Sequence, residues 1–201
     1  MTTAKDTALL TGPALAGMDL TGRILIAMPG MADPRFDQSV IFVCAHSDEG
    51  AMGLVLNKVA DDLRLADLLE QLDIEAAPNA RRLPIHYGGP VESGRGFVLH
   101  DGGYASSIST LEVTDDFSMT ATLDILEDMA SGEGPDNALI ALGYAGWGPG
   151  QLEGEIAENA WLICDASAKL IFGTMSEGKW AAALATLGIS PVALSADFGT
   201  A

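Results

Sequence analysis

Cys44 and His46 pair a thiol with an imidazole two positions apart in a strongly apolar run, SVIFVCAH. On a strand, residues at this spacing point to one face with their α-carbons roughly 7 Å apart. Three readings compete for such a pair: half a metal site, a histidine-activated thiol, or two residues that pack. A metal site needs two further ligands, and His86, His100 and Cys164 stand at no ligand spacing. A reactive thiol needs exposure and a lowered pKa, whereas a free cysteine in so apolar a strand is commonly buried.

The segment GYAGWGPGQ, between a strand and a helix, offers a second kind of chemistry. Glycines let backbone N–H groups approach an anion at a helix N-terminus. The spacing fits neither the dinucleotide fingerprint nor a P-loop, and Glu153 and Glu155 in the first turns repel phosphate. A tight, closely packed turn is the plainer reading. In the helix that follows, Gln151, Glu155 and Asn159 share one stripe by i,i+4 spacing, with Trp147 in the loop above it. Trp147 either plugs the edge of the core or anchors a recognition surface beside hydrogen-bonding groups. No G-x-S-x-G, H-E-x-x-H or S-x-x-K nucleophile motif is expected.

These residues need elements to hold them. Arg23–Ala27 reads as a buried strand ended by Met28-Pro29-Gly30, and Asp33-Pro34 as a single capped helical turn. Residues 38–46 and 51–57 read as a β-hairpin joined by Ser47-Asp48-Glu49-Gly50. Asp61-Asp62 then caps a helix through Leu72, with Leu65, Leu68, Leu69 and Leu72 as its stripe. Strands at Pro84–Tyr87 and 96–101 flank a Gly88-Gly89-Pro90 turn. A second helix spans 122–130 and stops near Gly132, a strand spans 137–142, and Pro149 opens a third helix to about Asn159. A strand at 161–164 and a helix from Ser176 to Gly188 complete the pattern. Strands and helices do not alternate strictly, which favours α+β. Residues 1–20 read as a loose arm and 21–201 as one domain.

Composition bounds what this domain does. Its 201 residues carry a net charge of −18 and 48% apolar side chains, with no run long enough to cross a membrane and no signal peptide. Residues 1–100 hold 8 basic and 13 acidic side chains, while 101–201 hold only Lys169 and Lys179 against 15 acids. Duplex DNA draws its affinity from Lys and Arg, so direct binding to it is not expected. Two cysteines make no disulfide framework, and the expected location is the cytoplasm.

Three ordered blocks carry a family resemblance. GRILIAMPGMADPRFDQSVIFVCAHSDEGAMGLVLNK resembles the N-terminal signature of the bacterial YqgE/AlgH proteins, and HYGGPVESGRGFVLH and GYAGWGPGQLEGEIAENAWL resemble their middle and later signatures. Two departures stand out. Ala45 sits where many members have an acidic residue, and Asn57-Lys58-Val59 replaces Asn-Arg-Pro. The resemblance implies a single α+β domain with a mixed, largely antiparallel, bifurcated β-sheet wrapped around a pseudo-barrel and helices packed outside. Family names call members transcriptional regulators, linked in some bacteria to exopolysaccharide control, with no assigned biochemical activity and no catalytic residues to carry over.

Residues and resemblance together lead to a non-enzymatic cytosolic regulator that binds a protein partner or small ligand and acts indirectly on gene expression. No cofactor, metal, membrane or direct nucleic-acid contact is expected. The expected binding surface joins Trp147, Gln151, Glu155 and Asn159 with Asp33, Asn57 and Arg95. The alternative is a thiol-dependent enzyme or redox sensor using Cys44 with His46.

Overall fold

The β-branched and aromatic run from Val40 to Cys44 is buried throughout and forms the heart of β2 (Val40–Ser47). The computed structural model describes residues 17–197. Within it β2 lies antiparallel between β1 (Arg23–Ala27) and β3 (Gly50–Val55). The expected hairpin forms with a tighter loop, since Ser47 pairs with Gly50 and only Asp48 and Glu49 turn the chain. Between β1 and β2, Asp33 caps a 3-10 turn at Pro34–Phe36, its carboxylate accepting the Arg35 backbone N–H at 3.0 Å.

The helix expected from Asp61-Asp62 is corrected. Val59–Arg64 is instead a strand, β4, paired with β5 (Pro84–Tyr87), and α1 covers only Leu65–Gln71. Strand pairing overrides the capping preference here, and the two exposed aspartates lie on a sheet edge, where charge discourages pairing with another chain. Asp67 closes the helix start by accepting the Arg64 N–H at 2.8 Å. β6 runs over Val91–Asp101, longer than expected because an irregular register between Val91 and Gly96 carries the strand through its glycines. β7 (Leu111–Glu112) and β8 (Phe117–Thr120) were not anticipated. α2 (Asp124–Ser131) ends on Gly132 at φ 88°, as the glycine stop requires.

β9 (Ala138–Trp147) overturns the turn reading of the glycine stretch: strand continues through Gly143, Tyr144, Ala145 and Gly146. One edge of β9 pairs with β6. The other pairs in parallel with β5 over 140–142 and then antiparallel with β3 over 145–147. The sheet therefore forks at residue 143. Gly143 makes the switch at φ 72°, and a β-carbon there would strike the Gly89 carbonyl. With α3 (Gln151–Ala157), β10 (Trp161–Asp165), a π-helical turn at Lys169–Gly173, a 3-10 turn at Ser176–Gly178, α4 (Lys179–Thr186) and α5 (Pro191–Asp197), the order of the described elements is complete. The strand path is β10-β1-β2-β3-β9-β6-β8-β7, with β4–β5 joined as a branch. This curled, largely antiparallel sheet forms a half-barrel with the helices packed around it.

The alternation of β1 and β2 feeds two cores. Ile24, Ile26, Phe42 and Cys44 pack toward Trp180 and Leu184 of α4, whereas Leu25, Ile41 and Val43 pack toward Leu152 and Ile156 of α3. A third cluster seats α1 and α2 on β5, β6 and β9. Of the expected arm, residues 1–16 lie outside the described residues. Leu20 is buried in the α3-side core, so the packed domain begins before residue 21. Among the described residues no helix is long and apolar enough to cross a membrane.

Candidate functional site

A cleft of about 690 Å³ opens where the segment from Met28 to Phe36 faces α3 and the end of β9. Its size lies within the usual range for small-molecule sites. Gly150, at φ 70°, is the N-cap of α3, so the helix starts one residue after the cap rather than at Pro149. It ends at Ala157, and Asn159 follows at φ 59°, a conformation asparagine tolerates well. The i,i+4 stripe anticipated from the sequence thereby lines the cleft with Gln151, Glu155 and Asn159.

Glu155 organises the floor. Its Oε2 accepts the indole N–H of Trp147 at 3.0 Å and that of Trp161 at 2.8 Å, while Oε1 accepts the Gln151 amide at 2.9 Å. Gln151 in turn accepts the Gly148 N–H at 3.0 Å, which ties the helix to the strand end. Trp147 is 7% exposed and Trp161 3%, so both are core plugs whose polar edges reach the cleft. Their rings meet edge to face at 6.1 Å, and Phe36 meets Trp161 in the same way at 5.9 Å. Trp161 was not expected in the site; its i,i+6 relation to Glu155 across a helix end gives no periodic signal.

Asp33 lines the opposite wall, bound to the Arg35 guanidinium at 2.6 Å. The Arg35 side chain and backbone N–H hold the Asp33 carboxyl below the usual carboxylate range. Asn57 and Arg95 do not line the cleft. Asn57 accepts the Val40 N–H at 2.9 Å and donates to the Gln38 carbonyl at 2.8 Å, lacing the entry of β2 to the chain after β3. Arg95 lies over the Phe97 ring at 5.2 Å and 3.6 Å from Glu92 on β6. The cleft thus brings together Asp33, Trp147, Gln151, Glu155 and Asn159, and leaves two of the seven expected residues elsewhere.

The expectation that Cys44 and His46 share a face is corrected. The β2–β3 register shifts between Val43 and Ala45, and this bulge turns the two side chains apart. Cys44 lies 1% exposed in the α4-side core, and burial pushes its thiol up to about 12. His46 faces α3: its Nδ1 accepts the Leu20 N–H at 3.1 Å, so Nε2 carries the hydrogen and donates to Glu153 at 2.7 Å. The imidazole is a strut between α3 and the segment leading into β1. Among the described residues no three His, Cys, Asp or Glu side chains group as metal ligands.

A second polar cluster was not anticipated, although Ser176-Glu177-Gly178-Lys179 has the S-x-x-K spacing that could have found it. His86, on β5, donates from Nδ1 to the Ile140 carbonyl at 3.2 Å, so its Nε2 accepts the Ser176 hydroxyl at 3.0 Å. Burial, with Lys179 nearby, pushes His86 down to about 4. Lys179 is 3% exposed, donates to the Leu56 carbonyl at 3.3 Å, and is lowered to about 8 by burial. A serine on an oriented histidine is nucleophile–base geometry in outline. The imidazole is buried and weakly basic, and the group closes the seam between β5 and α4.

Comparison with known proteins gives the family of the chain. An AlgH-like family model matches residues 24–192. A UPF0301 protein of Ruegeria pomeroyi is 57% identical over 185 residues, covering 92% of this chain and 100% of the relative. Another from Paracoccus denitrificans is 56% identical, covering 91% of this chain and 97% of the relative. The solution structure of the AlgH protein from Pseudomonas aeruginosa superposes with a TM-score of 0.74 at 45% identity, covering 92% of this chain and 97% of that one. A crystal structure from Corynebacterium diphtheriae, at 20% identity, TM-score 0.66 and coverage of 86% and 88%, shares the fold. A family model over residues 24–192 and relatives at this identity and coverage show that the chain belongs to the AlgH-like family.

Proposed function

We propose that this protein is a cytoplasmic regulatory binding protein whose cleft beside α3 takes a protein partner or small ligand, without a catalytic step of its own. The observation that carries the reading is convergence: five residues from two separate sequence blocks line one cleft of about 690 Å³ with a hydrogen-bonded floor and apolar walls. Any effect on gene expression runs through that bound species, because a net charge of −18 opposes contact with the DNA backbone.

Capture from a bacterial lysate tests this, with mass spectrometry on both proteins and small molecules. The comparison is with a Gln151→Ala, Asn159→Gly variant, since both residues are exposed and glycine keeps the positive φ at 159. The reading predicts a species held by the wild type and lost from the folded variant. A species held equally by both places the binding surface elsewhere and overturns it.

A further inference from the structure

The polar groups of the cleft divide into those already bonded and those left over. Asp33 is occupied by Arg35, and Gln151 bridges Gly148 and Glu155. Glu155 uses Oε2 for two indoles but Oε1 for one amide, so the carboxylate keeps acceptor capacity. Glu158 and Asn159 are exposed at the mouth, with no side-chain hydrogen bond or ion pair among the described residues. With Asp33, Glu155 and Glu158 against Arg35, the lining carries a formal charge of −2. The walls are carbon and thioether: Met28, Met31, Phe36 and Pro90 beside the tryptophans.

We propose that this cleft binds an organic cation, an ammonium or guanidinium group on a carbon framework, held between Glu155 and Glu158 with its carbon body against Met31 and Phe36. The inference rests on the reading of the cleft as the binding site and adds the chemistry of what enters it. Two carboxylates with spare acceptor capacity attract a cation and repel phosphate or carboxylate ligands. Hard metal ions need six or more oxygen ligands, which a cleft walled by methionine, proline and aromatic rings does not supply. Aromatic and thioether surface suits the alkyl part of an amine or guanidine. The surrounding net charge of −18 draws cations toward the mouth. A free amine and an arginine or lysine side chain on a protein partner present this same chemistry.

Three tryptophans make the test internal to the molecule. The indoles of Trp147 and Trp161 donate to Glu155, whereas that of Trp180 donates to the Ala27 carbonyl at 2.9 Å in the other core. ¹⁵N-labelled protein is titrated with n-butylguanidinium and with n-butylurea, its neutral isostere. The proposal predicts that butylguanidinium shifts the Trp147 and Trp161 indole resonances and leaves Trp180 in place, with butylurea about tenfold weaker or more. Glu158→Gln, an exposed change that leaves the floor intact, weakens butylguanidinium roughly threefold or more and leaves butylurea unchanged. N-acetylarginine amide binding more tightly than butylguanidinium assigns the cation to a protein partner, and the reverse order assigns it to a free amine. Equal binding of the two isosteres overturns the cation while sustaining the cleft as a site. Silence of both indoles toward butylguanidinium also overturns it, and lysate capture then decides the cleft separately.

Discussion

The cleft beside α3 and the seam beneath α4 draw on similar groups and use them in opposite ways. At the seam, His86, Ser176 and Lys179 spend their polar atoms on one another or on the Ile140 and Leu56 carbonyls, and the imidazole and ammonium are sealed from water. At the cleft, Glu155 locks two indoles and an amide in place, while the Glu158 and Asn159 side chains at the mouth make no hydrogen bond or ion pair among the described residues. The Ser176–Lys179 stretch thus closes a seam of the fold, whereas the helical stripe lines the cleft. His86 and Ser176 complete one another inside the fold and stabilise it, whereas the Glu158 and Asn159 side chains are left over at the cleft.

Substitutions can break this contrast, the largest effect first. Glu155→Ala removes the shared acceptor of two buried indoles, and stability falls by about 2–6 kcal/mol in chemical denaturation, since each orphaned buried donor costs about 1–3 kcal/mol. A loss well under about 2 kcal/mol would show that the two indoles do not depend on Glu155 for their hydrogen bonds. At the seam, acid supplies the counterpart. His86 stays neutral when folded down to about pH 4 but takes up a proton near pH 6.5 when unfolded. The unfolded chain binds more protons in that window, so this contribution is lost as pH falls from about 6.5 to 4, on the order of 3 kcal/mol in all. Denaturation at stepped pH shows the slope in the wild type, and His86→Gln flattens it.

Lys179→Met probes the same seam from the other side. The wild type buries an ammonium whose only described hydrogen bond is to a carbonyl, so the methionine variant is expected to be more stable at pH 7 by about 1 kcal/mol. Folded Lys179 loses its proton near pH 8 and the unfolded residue near 10.5, so the wild type gains stability through that window and the difference shrinks. A methionine variant less stable at pH 7 would show that the ammonium is held better than its geometry indicates. Smallest of all, thiol labelling of folded protein at pH 8 should leave Cys44 at least about a hundredfold slower than free cysteine, with no change in His46→Gln. Labelling as fast as free cysteine would restore the thiol reading.

Local sequence showed the α+β class, β1, β5, the capped turn at Asp33 and the Gly132 stop, because each rests on short-range apolar runs or on Gly and Pro chemistry. The Gln151, Glu155, Asn159 stripe was legible for the same reason, being helical spacing. What escaped depended on partners distant in the chain. β4 is a strand because β5 lies beside it, and Cys44 parts from His46 because of a bulge set by the β3 register. Gly143 reads as turn material from sequence, and only the meeting of β3 and β5 on one edge of β9 makes it a fork. Asn57 and Arg95 lie outside the cleft, Asn57 clamping a loop and Arg95 lying over the Phe97 ring.

The most direct test of the contrast measures unfolding free energy and lysate capture together on two variants, Asn159→Gly at the cleft and Ser176→Ala at the seam. The account predicts that Asn159→Gly changes stability by no more than about 0.5 kcal/mol and loses the captured species. Ser176→Ala is predicted to cost about 1–2 kcal/mol, by orphaning His86 Nε2, and to keep that species. The opposite pairing, capture lost at the seam and stability lost at the cleft, would contradict it.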